Sequence, residues 1–476
     1  MFKKPIRLYA TALKDRTTFR FHINQLDAFK THLLKYYNDL SFIECTDHRI
    51  LPGVFPTVEH HFKPGEEISL YDNQIPIADA ILAPGARKMV NATAGSGKTI
   101  MALYCAVKLK ARTLLTFKGG YITRWTDDIS DKFDLCKDEL LVVDSSSAMV
   151  DLQEMAVENE LNAKFIVITT GIMRAYLRAY ELNSGDPTPF AIHPDVFHRE
   201  LGTALHIKDE FHQEHHLNHR IELYTDCPKT IALSATMRPS DPFLDTIYQI
   251  GYPLGERLTL KGRDKFVVVT AMFYRFRDPR KLRYKNKKNQ YSHNEFETWL
   301  MSHPHTLLAN YTRMVERILF KKFVSIKNPN EKSIVFCSSV ELCSYFQKYF
   351  ANKYPTLKVS KYTQIDPYSN LMESDLTFST VLSAGTAVDV PLLRFVLMLI
   401  GLGSRQSNEQ AMGRPRELWK YDPRYKTDPK LKEIRPEFGY LVCEDIQQTI
   451  NYHESKVDYF RDLALIQHEV KLPDVI

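Results

Sequence analysis

The stretch Met89–Val107, MVNATAGSGKTIMALYCAV, decides how the rest of the chain is read. Two apolar residues lead into the small-residue loop ATAGSGKT at 92–99, and a run with helical periodicity follows. Strand, small-residue loop and helix, in that order, is the setting of a phosphate-binding loop. Gly95 and Gly97 allow backbone N–H groups to curl around an anion with no Cβ in the way. A helix opening near Lys98 adds the positive end of its dipole. Ala94, Gly95, Ser96 and Gly97 are therefore expected to wrap a nucleotide's phosphates. Lys98 would reach the outer phosphates, and the Thr99 hydroxyl would help hold Mg²⁺. The loop opens on Ala92 where the general pattern has Gly. An ordinary glycine-bearing turn is the plainer alternative, but it gives no reason for the lysine and threonine.

Working outward, the 476 residues leave room for two or three domains. Apolar content of 44% and charged content of 25% are those of an ordinary globular protein. No run approaches 18 apolar residues, and the start, MFKKPIRLYA, lacks the apolar core of a signal peptide. The expectation is a cytoplasmic protein of a bacterial or virus-infected host cell, with no membrane partner. Seven scattered cysteines without a CxxC pair argue against a disulfide framework or a zinc knuckle. A net charge of +6 permits nucleic-acid binding without arguing for it.

Residues 1–66 read as a small α+β N-terminal domain, with strand-like PIRLYA and LSFIEC around a helical stretch from Ile23 to Tyr37. A Pro- and Gly-bearing segment then marks a boundary. Apolar runs alternate with helical stretches over 67–255 (KMVNA, RTLLTF, LLVVDS, KFIVITT, ALHIKDE, KTIALSAT) and again over 256–449 (SIVFCSS, LKVSKYT, LTFSTVLS, FVLMLIG, GYLVCE). Such alternation predicts two parallel sheets covered by helices. Between the two sets lies RFRDPRKLRYKNKK, 275–288, with eight Lys/Arg against one Asp. It is either a solvated loop or a surface for a polyanion's backbone. The tail, 450–476, is expected to be a C-terminal amphipathic helix, on the spacing of Tyr452, Val457, Tyr459, Phe460, Leu463 and Leu465.

Three further constellations carry chemistry. Leu205–Lys208 leads to Asp209-Glu210-Phe211-His212, two adjacent carboxylates at a strand end. Asp209 would support the metal, and Glu210 would orient or deprotonate the attacking water. Lys208 is out of character for such a strand. His212, His215, His216 and His219 would share a helical face, so a zinc site is conceivable, but they form neither HExxH nor HxxEH. A polar helix accounts for them more simply. Finally, Gln410-Ala411-Met412-Gly413-Arg414-Pro415-Arg416 sets two arginines after an apolar strand and a polar turn. Arginines brought to a nucleotide neutralise transition-state charge, worth roughly 10³ to 10⁵ in rate. Two surface arginines at a helix boundary are the plainer alternative.

With these residues in order, the chain resembles the superfamily 2 DExH helicases, which have two tandem RecA-like domains. Leu70-Tyr71-Asp72-Asn73-Gln74 looks like the adenine-reading element, with Gln74 as the contact. ATAGSGKT resembles motif I, and Thr116-Phe117-Lys118 with Tyr121–Trp125 resembles motif Ia. Ile168–Gly171 is similar to the next strand end. DEFH is similar to motif II and Ser234-Ala235-Thr236 to motif III. Ile334–Ser339 resembles motif IV, Gly385-Thr386-Ala387-Val388-Asp389-Val390-Pro391 motif V, and Gln410–Arg416 motif VI. Within the superfamily, the compact size and small N-terminal unit look similar to the UvsW-type phage and viral DNA helicases. Two departures stand out. Ala387 replaces a glycine of motif V, and Glu417 stands where motif VI has its second arginine, the nearest arginine being Arg416.

The resemblance implies ATP and Mg²⁺ as cofactors. Gln74, the motif I loop, Lys98, Thr99, Asp209, Gly385 and Asp389 would hold the nucleotide, and Gln410, Arg414 and Arg416 would act on it. His212, Ser234 and Thr236 would couple hydrolysis to movement, and Thr116, Lys118, Thr170, Ser338 and Thr380 would touch the nucleic-acid backbone. The expected partner is single-stranded, forked or branched DNA, with RNA or an RNA–DNA hybrid as the alternative track. The chain is expected to work as a monomer in replication, recombination or repair. The rivals are a double-stranded DNA translocase that does not separate strands and a nucleic-acid-binding module with a decayed ATPase. A small-molecule P-loop kinase leaves the second sheet unexplained.

Overall fold

The computed structural model describes residues 10–12, 19–41, 55–92, 96–183, 185–234, 242–260, 265–363, 365–381, 390–461 and 463–476. Its contacts divide the chain into two compact units, Met1–Gly262 and Arg263–Ile476.

In the first unit a short antiparallel pair, β1 (Ala10–Ala12) and β2 (Phe19–Phe21), precedes the main sheet. That sheet is built from β3 (Arg87–Ala92), β4 (Thr113–Phe117), β5 (Leu140–Val143), β6 (Phe165–Thr169), β7 (Leu205–Lys208), β8 (Lys229–Ser234) and β9 (Arg257–Leu260). All pairings are parallel, in the order β5-β6-β4-β7-β8-β3-β9. Every residue of β4 and β6 is buried. Strands covered on both faces by crossover helices have no polar face, so they read as apolar runs rather than alternations.

The order matters for function because β7, β8 and β3 are neighbours. Their carboxyl ends therefore open at one edge, where open α/β sheets bind ligands. The described residues before 66 pack on this unit. Arg20 forms an ion pair with Asp195, and Thr57 and Phe62 bridge Ala111 and Phe133.

The second unit repeats the plan with β10 (Val268–Arg275), β11 (Lys332–Cys337), β12 (Val359–Tyr362), β13 (Leu376–Thr380), β14 (Leu393–Met398), β15 (Glu437–Cys443) and β16 (Ile466–Val475). The order is β12-β13-β11-β14-β15-β10-β16, again parallel throughout. One apolar cluster on this sheet contains Trp299, Phe346 and Phe378. Another contains Val396, Phe438 and Phe460. The fold class is α/β, two tandem parallel-sheet units of RecA-like plan.

The tail departs from expectation. The helix runs only from Gln447 to Phe460, and residues 466–475 form β16, the edge strand beside β10. Ala464 donates its N–H to Phe460, and Leu465 donates to Val267, so the chain leaves the helix and enters the ladder within a few residues. Among the described residues no helix is long and apolar enough to cross a membrane.

Candidate nucleotide-binding site

The site begins at the end of β3. Gly97 caps the helix Lys98–Leu109 with φ +79°, a left-handed conformation that glycine adopts without strain. A Cβ there would collide with the Gln74 amide. That amide donates from Nε2 to the carbonyls of Ser96 (2.8 Å) and Gly97 (3.3 Å), while the Tyr71 N–H donates to its Oε1 at 2.9 Å. Gln74, expected to read adenine, is placed as a buried brace under the loop. Ser96, Lys98 and Thr99 are buried as well.

At the end of β7 the chain turns sharply. Glu210 has φ +49°, costly for a residue with a side chain, and its N–H donates to Asp209 Oδ1 at 2.9 Å. The turn sends both carboxylates toward Lys98. The ammonium lies 3.2 Å from Asp209 Oδ1 and forms an ion pair with Glu210. Burial favours the neutral amine, but the two carboxylates outweigh it and raise the Lys98 pKa. Burial likewise favours a protonated Glu210, yet Lys98 and His212 hold its carboxyl down at about 2. Asp209 Oδ2 accepts from the Trp125 indole N–H at 2.9 Å, and Trp125 stacks on Phe117.

From Glu210 the contacts run on to the end of β8. His212 Nε2 lies 3.3 Å from Glu210 Oε2, and its Nδ1 is 3.0 Å from Ser234 Oγ. The other histidines diverge. His219 is buried and stacks on His22, His215 meets the edge of Tyr248, and His216 is exposed. The polar-helix expectation therefore fails for His219, which the fold draws inward.

Lys208, the out-of-character residue of β7, points away from this cluster. Its ammonium donates to Glu222 at 2.7 Å, and Glu222 also accepts from the Tyr252 hydroxyl at 2.6 Å. The pair is almost wholly buried.

A Mg²⁺-bound nucleotide fits what is present. The Thr99 hydroxyl is buried without a hydrogen-bond partner among the described residues, and it follows Lys98, whose ammonium lies 3.2 Å from the Asp209 carboxylate. An orphaned hydroxyl and a hard carboxylate are the oxygen ligands that ion prefers.

Other expected site residues fall as follows. Ala94, Gly95, Thr236, Gly385 and Asp389 lie outside the described residues. Thr116, expected to touch a nucleic-acid backbone, is buried, and its hydroxyl is engaged by His206 at 2.9 Å. Its strand is covered on both faces, which a short Thr-Phe-Lys signature does not reveal. Thr170 is buried at the start of the helix Thr170–Leu182, and Lys118 is exposed. Thr380 ends β13 half-buried.

In the second unit, Ser338 gives its hydroxyl to Asn294 and its N–H to Glu297. Gln410 is half-buried on the helix Arg405–Met412, and Arg414 is buried just beyond it. Arg416 folds back on the carbonyls of Gly413, Arg414 and Pro415, in the turn that follows the helix.

Sequence reasoning passed over Glu222 and Glu297, and it named Trp125 only within the motif Ia resemblance, with no role at Asp209. Tyr121 and Trp125 recur at a helical interval, which hinted at a shared inward face. Nothing local marks Glu297, 41 residues from Ser338.

No protein-family model and no curated protein matches the chain. Solved structures with a similar course include Mss116p bound to ssRNA and AMP-PNP, 13% identical with a TM-score of 0.49 over 89% of this chain and 75% of that one. The helicase domain of Hef from Pyrococcus furiosus is 13% identical with a TM-score of 0.45, over 80% of this chain and 97% of that one. At this similarity the likeness concerns the path of the chain alone.

Proposed function

We propose that this protein is an ATP-dependent nucleic-acid helicase or translocase of superfamily 2, acting on DNA. The observation that carries the reading is the buried Lys98, at the start of the helix after β3, held between Asp209 and Glu210 at the end of β7, with β8 between the two strands. Such a triad has little structural purpose at a sheet edge, and it supplies a phosphate-binding cation, a metal ligand and a water-orienting base. On ATP binding, the Lys98 ammonium exchanges its carboxylate partners for phosphate oxygens. Glu210, released from the lysine that lowers its pKa, becomes the stronger base and then accepts a proton from the attacking water. Mg²⁺, held by Thr99 and Asp209, would neutralise charge on the phosphates. His212 and Ser234 extend the contact line from Glu210 to the end of β8, the route by which hydrolysis would be felt elsewhere in the unit.

Arg414 and Gln410 are proposed to act on the same nucleotide, with Arg416 reserved for the turn it caps. The compact size and the small N-terminal segment favour the UvsW-type phage and viral DNA helicases within the superfamily, and roles in recombination or repair. The rival of a decayed ATPase would draw on Lys208 and on the shifted second arginine, and the first ground weakens because Lys208 pairs with Glu222, away from the carboxylates that face Lys98.

Strand displacement on forked DNA, run beside displacement of a triplex-forming third strand, tests the reading. Separation of the fork strands with ATP is expected. Triplex displacement without fork separation would assign the chain to the duplex translocases, and neither activity would overturn the motor.

A further inference from the structure

The basic run at 275–288 looks like loop in sequence, but its alternation is structural. Phe276 is buried in the apolar cluster of the second unit, and Leu282, Tyr284 and Tyr291 pack against it. The cations between them, including Arg277, Lys281, Arg283, Lys285 and Lys287, are exposed. The segment is fastened at both ends. Phe276 N–H donates to Asp445 at 2.5 Å, and Arg277 N–H donates to the Ile476 carbonyl at 2.8 Å. Further on, Ser292 N–H donates to Tyr284 and Lys285 bridges Tyr291, closing a hairpin. Its tip is braced by the Asn286 side-chain oxygen, which accepts from the N–H groups of Lys288 (2.9 Å) and Gln290 (3.1 Å).

Asp278 is the one acid of the run, and it pairs with Arg280 and Lys281. Arg283, Lys285, Lys287 and Lys288 have no ion pair among the described residues. Holding like charges together costs stability unless something offsets it. Here the backbone of the cationic array is already fixed, so a polyanion that meets it loses little ordering entropy on the protein side.

The hairpin is joined to two loops at the sheet's edge. The Tyr291 hydroxyl donates to His293 Nδ1 at 2.7 Å, and the Gly401 N–H approaches the same nitrogen at 3.3 Å. A Cβ on Gly401 would stand 2.7 Å from the Tyr291 hydroxyl, so only glycine permits this approach. One helical turn on, Glu297 accepts the N–H groups of Ser338 and Ser339, both at 2.7 Å.

We propose that residues 275–291 are a preformed cationic strap that grips the phosphate backbone of a nucleic-acid duplex. This rests on the motor reading and adds a contact site to it. Duplex is favoured over single strand because the strap's aromatic rings face the core and none is offered to stack a base, which single-strand sites rely on. What it presents is charge alone, suited to a duplex carrying one phosphate per about 1.7 Å of axis.

The test replaces four unpaired cations together, R283Q/K285Q/K287Q/K288Q, in the full chain. Binding to duplex and to single-stranded DNA is measured across a salt series, with ATP hydrolysis measured in parallel. Duplex affinity should fall at least tenfold near 0.1 M salt, and the slope of log K against log salt should flatten by roughly 3 to 4. Hydrolysis without nucleic acid should stay as in the parent. If the parent is stimulated by nucleic acid and the variant keeps its duplex affinity and slope, the strap is overturned while the motor stands. Equal losses on single strand and duplex overturn the assignment to duplex. A parent that binds no nucleic acid overturns both.

Discussion

Glu210 shows how one residue's backbone and side chain serve one end. Its left-handed turn places the carboxylate against Lys98, and the local cost is tolerated because the surrounding contacts hold it. Glu210→Gln should keep nucleotide binding but slow turnover by roughly 10² to 10⁴, the usual contribution of a positioned base. Single-turnover hydrolysis beside a nucleotide-binding titration checks this, and a Gln variant that turns over normally would remove Glu210 from the chemistry. Lys208 and Glu222 pose a separate question of stability. Burial alone would raise the Glu222 carboxyl, but Lys208, Arg87 and His22 outweigh it and hold it at about 2. Because the folded pKa is depressed, the stabilisation is present above the unfolded carboxyl's range and is lost as pH falls from there toward 2. Glu222→Gln, which strands a buried ammonium, should cost about 3 kcal/mol at neutral pH. K208M/E222Q should recover most of it, as read by denaturant unfolding.

At the scale of elements, β16 is the piece whose removal says most. It covers one edge of β10 with parallel pairs from Val268↔Ile466 onward, and Ile476 beyond it is buried in the core. Truncation after Leu465 uncovers that edge and should lower the melting temperature of the second unit by roughly 5 °C or more, with aggregation on heating. An unchanged melt would make β16 dispensable. Apolar runs such as TLLTF and FIVIT announced their strands because both faces are covered. β16 escaped notice for the converse reason. Much of it is exposed, it carries Lys471 and Pro473, and its apolar residues continue the spacing of the helix before it. The burial of Thr116 was hidden in the same way, since a hydroxyl at a strand end gives no sign of whether a helix or solvent covers it.

For the whole molecule, the sequence carries the plan of two sheets but not the contacts that make the site. Trp125 reaches Asp209 across 84 residues, and Lys98 reaches Glu210 across 112. Strand order alone brings them together, and no spacing in the chain encodes it. The loop, the acid pair and the arginine turn were legible because each is a short run with its own chemistry. The brace at Gln74, the hold of Glu297 on Ser338 and the anchoring of the basic strap were not, because each joins segments that are local in space only. The proposed function joins the two units through ATP turnover answering to a nucleic-acid track, and steady-state hydrolysis by the full chain, with and without DNA, measures it directly. The parent's rate should rise at least tenfold with DNA, and Lys98→Ala should abolish hydrolysis under both conditions. A parent rate indifferent to nucleic acid, or a Lys98→Ala chain that still hydrolyses ATP in response to DNA, would contradict it.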